Sequence, residues 1–135
     1  MNIELTPKQF RLLLDMAYIG NWVLNSARGE DRIRDYDEVE STLFFECLKN
    51  GLTPLAEIRR GKAVPSRAFV DGGIHEAIMD YEDTMFFDIL AEELARRDMQ
   101  AEGVEQDDAA ELHRRVTEYT AEFEQHGMEH LSVDI

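Results

Sequence analysis

Cysteine is almost missing from this chain: Cys47 stands alone among 135 residues. A single thiol excludes an intrachain disulfide framework and any cysteine-rich metal knuckle. The first eight residues lack a basic patch followed by an apolar core, so no secretory leader is expected. Long apolar runs are also missing. The richest stretch, residues 10–24, is interrupted by Arg11, Asp15 and Asn21, which leaves it too short to span a bilayer. A cytoplasmic protein without membrane attachment is the resulting expectation. Prolines number three, at 7, 54 and 65, positions that suit helix starts and a loop.

What is present is apolar residue in ordinary supply, 44% of the chain. That is enough to offset the entropy of ordering the chain and build one globular core. Residues 1–135 are therefore read as a single helical domain. The net charge is −15, and all of it lies in the second half. Residues 1–70 carry ten basic and ten acidic side chains, whereas residues 71–135 carry four and nineteen. Such a half repels phosphate backbones, so no direct nucleic-acid binding is expected of it. It suits a basic partner or hard cations, or it simply keeps helix faces solvated.

The pattern of apolar residues has helical period. Thr6-Pro7-Lys8-Gln9 reads as an N-cap with a capping box and a proline at the first helical position. It opens a helix over 7–28 that Gly29 ends. Two adjoining stripes follow, one of Phe10, Leu13, Ala17 and Leu24, the other of Leu12, Met16, Ile19 and Val23. An apolar face that wide predicts the central helix of a bundle. A second helix is expected from residue 30 or 31 to 49, with Asn50-Gly51 as its stop. A short helical turn follows over 53–59, then an irregular loop over 61–73. A third helix is expected over 73–100, with its C-terminal half covered on two sides. A fourth opens at Asp108 and ends at Gly127. Residues 2–5 and 130–135 alternate polar and apolar, which predicts two terminal strands paired as a small sheet. The fold class is thus mainly α: a bundle of about four long helices, one short helical turn and a two-stranded sheet.

Several constellations are candidates for function. Arg59, Arg60, Lys62 and Arg67 crowd into the loop. They suit an anionic ligand or an acidic partner, or they neutralise the chain's own acidic helices, the reading favoured here. Gly61-Lys62 lacks the remainder of a nucleotide-binding loop. Glu76, Asp80 and Asp83 share one face of the third helix and suit Mg²⁺ or Mn²⁺ if a second element adds ligands. His75-Glu76 is no zinc-protease helix, because Met79 occupies the place of the second histidine. Glu122 and His126 are four residues apart, which permits a mononuclear metal site, while His130 follows in the tail. No Glu-x-x-His pair for a di-iron bundle occurs. Glu40 falls on an apolar stripe; if buried it would have a raised pKa. Cys47 and the serines have no nucleophile context. Finally, Arg11, Asp15, Tyr18, Trp22 and Asn25 form a row on the first helix. Aromatic residues with arginine anchor interfaces, and half-burial under a neighbouring helix explains the row equally well.

With no catalytic pattern, the leading expectation is a non-enzymatic interaction or regulatory protein that binds itself, as a homodimer, or another protein, without a cofactor. A divalent-metal protein, with hydrolysis as its activity, is the second expectation. An acidic decoy of a nucleic-acid-binding protein is the third.

Overall fold

The computed structural model describes residues 1–134, and the chain is mainly α. Two compact units divide it after Ile78. No helix is long and apolar enough to cross a membrane.

The first unit opens with α1, Pro7–Asn25. The capping box forms as the sequence requires: the Thr6 hydroxyl accepts from the Gln9 N–H at 3.1 Å, and the Gln9 side chain accepts from the Thr6 N–H at 2.9 Å. The helix stops at Asn25, three residues before the expected end. The cause is the Asn25 side chain, which leaves the helix direction to the following loop. Its amide accepts from the Ile33 N–H at 2.8 Å and donates to the Ile33 carbonyl at 3.0 Å. Residues 26–32 therefore form a loop, and α2, Arg34–Phe45, starts later than expected. Asp35 and Asp37 in its first turn complement the helix dipole. A single turn of 3₁₀ helix, Glu46–Leu48, continues it.

After another short turn, Thr53–Leu55, the chain enters a β-hairpin of β1, Ala56–Arg59, and β2, Lys62–Pro65. The strands are antiparallel, with Ala56 opposite Pro65 and Arg59 opposite Lys62. Arg60 and Gly61 make the two-residue turn at φ of 51° and 78°, the double left-handed geometry that matches strand twist. This is the only sheet among the described residues. The expected pairing of the termini is corrected: residues 2–5 and 130–134 carry no strand, and Ile135 lies outside the described residues. The helical turn expected over 53–59 and the loop over 61–73 are likewise replaced, in large part, by this hairpin.

Ser66 caps the brief helix α3, Arg67–Phe69, accepting from the Phe69 N–H at 3.2 Å and donating to the Pro54 carbonyl at 2.5 Å. A wide turn over Val70–Ile74 follows, with Gly73 at φ 107°, and α4, His75–Ala101, begins. The core of this unit is Leu14, Phe44, Cys47, Ala56, Ala63 and Phe69. Phe44 and Phe69 meet edge to face at 4.9 Å. Burial raises the pKa of the Cys47 thiol, so it is a core filler.

The second unit comprises α4 from Met79 onward and α5, Ala109–His126. Ala91, Ala95, Met99 and Phe123 are its buried residues, and Phe87 packs on Phe123 at 5.4 Å. Asp108 caps α5 through the Glu111 N–H at 3.1 Å. Arg115 joins the helices, pairing with Glu111 at 2.7 Å and with Glu102. Glu111, held by Arg114 and Arg115, has its pKa lowered to about 2. Phe86 and Ile89, one from each of the two faces expected to be covered, are exposed, and burial along this part of α4 falls instead on Ala91, Ala95 and Met99.

Candidate functional site

The first candidate is the outer side of α1. Its inner side is taken up by Leu14, Asn21 and Asn25, all buried. Of the two stripes read from the sequence, the second turns outward: Leu12 is 50% exposed, Met16 70% and Val23 67%. Ile19, between them, is partly exposed. The expected central helix is thus covered on one face only. Residues 12, 16, 19 and 23 are spaced four, three and four apart, the spacing of a two-helix seam. Leu12 and Met16 of this row also line a groove of about 950 Å³ whose other walls include Ile3, Leu5, Phe10, Leu43 and Leu52.

The aromatic row of α1 is engaged within its own unit. Tyr18 and His75 share a hydrogen bond of 2.6 Å between the hydroxyl and Nε2. The Trp22 ring meets His75 edge-on at 4.7 Å, and Arg11 pairs with Asp15 at 2.7 Å beneath the Phe69 ring. Asn25 is buried. His75 lies 57 residues from Tyr18, a distance at which no sequence pattern signals the contact.

Behind this row sits a polar network. Asn21 donates to Asp37 at 2.9 Å and to Glu40 at 3.2 Å, and Asn25 donates to Asn21 at 2.7 Å. Arg32 grips Asp37 with two bonds of 2.7 Å. Burial pushes the Glu40 carboxyl up, against the opposing pull of the Asn21 amide. Burial and the charge of Glu40 push the Tyr18 hydroxyl up as well. A carboxyl with a raised folded pKa stabilises the fold below its unfolded pKa and loses that contribution as pH rises through the folded value. Glu40→Gln keeps an acceptor for Asn21 and removes the charge. It should raise the thermal midpoint at pH 7 and leave it unchanged near pH 3.5. A midpoint unmoved at both pH values would show that Glu40 is ionised without cost.

The basic loop residues are spread along the hairpin and α3. Arg59 pairs with Glu57 at 2.6 Å and Arg67 with Asp71 at 3.2 Å. Arg60 occupies the hairpin turn, and Lys62 opens β2. The four do not converge in one described cavity.

Of the candidate metal ligands, Glu76, Asp80 and Asp83 are all exposed on α4, and among the described residues no second element adds a ligand to them. Glu122 and His126 do come together, and His130 joins them. Gly127, at φ 55°, ends α5 and turns the chain back. His130 thereby returns to the residue eight positions before it. His126 Nδ1 donates to one Glu122 oxygen at 3.0 Å, and His130 Nδ1 donates to the other at 2.6 Å. The two rings lie 4.2 Å apart. These hydrogen bonds, that from His126 first, hold the Glu122 carboxyl below the usual range.

No known protein family, curated protein or solved structure matches this chain.

Proposed function

We propose that this is a non-enzymatic interaction protein that pairs with a second copy of itself through the outer face of α1. The observation that carries the reading is the exposed row Leu12, Met16, Ile19 and Val23. Contiguous exposed apolar residues on a helix mark an interaction surface. The choice of a second copy rests on symmetry. The four-three-four spacing reads the same in both directions, so a two-fold axis between Met16 and Ile19 sets Leu12 against Val23 and Met16 against Ile19. Charge favours the same face. Residues 1–70 have balanced charges, so two copies meet there without adding like charge to like charge. Removing such side chains from water is worth about 1.5–3 kcal/mol each when burial is complete. Two copies contribute eight of them, each already partly covered within its own unit, against an association cost of about 4–15 kcal/mol, which fits a dimer of modest affinity.

Met16→Glu places a carboxylate from each copy near the middle of that seam. Sedimentation equilibrium should give twice the chain mass for the natural sequence and the single-chain mass for the variant, a weakening of about 100-fold or more. Circular dichroism should show equal helix content, because Met16 is exposed within the unit. An unchanged mass in the variant would overturn the reading.

A further inference from the structure

We infer that Glu122, His126 and His130 bind one transition-metal dication, of the zinc class, at the C-terminal end of α5. The donor set is two imidazole nitrogens and one carboxylate oxygen, and one atom from each lies within 4.8 Å of the others. Around zinc, with bonds of about 2.1 Å, tetrahedral ligands stand about 3.4 Å apart. The three groups therefore need only small side-chain rotations to close on an ion. Two independent backbone devices bring them there. The helix sets Glu122 and His126 on one face at a spacing of four residues, and the positive-φ turn at Gly127 returns His130.

The chemistry of the donors selects the ion. Imidazole favours Zn²⁺, Cu²⁺, Ni²⁺ and Co²⁺, whereas Mg²⁺ and Ca²⁺ require mostly oxygen ligands. A dication would replace the two imidazole-to-carboxylate hydrogen bonds with three coordinate bonds. His130 is well exposed and the other two are partly so, which leaves a fourth position open to water. The acidic second half of the chain raises the local concentration of cations.

The probe is Zn²⁺ added to the chelator-treated full chain and followed by calorimetry, with Co²⁺ as the spectroscopic substitute. The expected result is one ion per chain and a visible Co²⁺ band that needs nitrogen ligands. His130→Ala and His126→Ala should each weaken binding by about tenfold or more. His130→Ala is an exposed substitution beyond the last helix, so it tests the site without risk to the fold. The double variant Glu76→Ala/Asp80→Ala should bind as the natural chain does. No stoichiometric binding, binding indifferent to both histidines, or binding lost on removing Glu76 and Asp80 would each overturn the inference.

Discussion

Phe44→Ala should destabilise the first unit by about 4 kcal/mol, the range for removing a fully enclosed aromatic side chain. Phe44 is wholly buried and meets Phe69 edge to face, at the centre of a core that also holds Leu14, Cys47, Ala56 and Ala63. Truncation removes that ring contact and leaves a cavity. The hairpin and α2 frame this space and cannot collapse into it without breaking backbone hydrogen bonds. Trp22 is the sole tryptophan and belongs to this unit, so its fluorescence reports the loss directly. Urea denaturation at a fixed protein concentration should show the Trp22 transition shifted to much lower denaturant. A shift worth less than about 1 kcal/mol would mean that Phe44 is not enclosed in solution.

Asn25→Ala should cost about 3 kcal/mol, an effect out of proportion to a polar residue of moderate size. The side chain is 1% exposed and makes three hydrogen bonds, to both backbone groups of Ile33 and to Asn21. Each partner left unpaired away from water costs about 1–3 kcal/mol. Asn25→Asp separates this account from simple packing. It preserves shape and the acceptor for the Ile33 N–H. It loses both donors and adds charge near Asp37 and Glu40, so it should not rescue stability. An aspartate variant as stable as the natural chain would show that the donor half of the amide is unimportant.

These same residues explain what was legible in the sequence. The start of α1 and the start of α5 were, because a capping residue and its partner lie three positions apart and their chemistry is local. The end of α1 was not. It depends on Asn25 reaching Ile33, eight residues on, across a loop whose path no periodicity encodes. The hairpin was hidden for two reasons. Its strands have four residues each, and its turn is Arg60-Gly61 rather than the asparagine–glycine pair that signals such turns. The breadth of apolar surface on α1 was plain, but its buried side, Leu14, Asn21 and Asn25, belongs to neither stripe, because two of its three residues are asparagines that hydropathy counts as solvent-facing. Two of the three residues of the Glu122–His126–His130 cluster, Glu122 and His126, were visible as a pair four positions apart. His130 was not, since its approach depends on the conformation of Gly127 rather than on helical spacing.

The most direct test of self-pairing is the solvent accessibility of individual methyl groups in the natural sequence. A soluble paramagnetic agent, added to methyl-labelled protein at a concentration that favours association, broadens signals in proportion to their exposure. The Met16 and Val23 methyls should be protected nearly as well as those of buried Leu14, and dilution should expose them. Exposed Val133 is the internal reference. Met16 and Val23 broadened as strongly as Val133 at every concentration would contradict self-pairing.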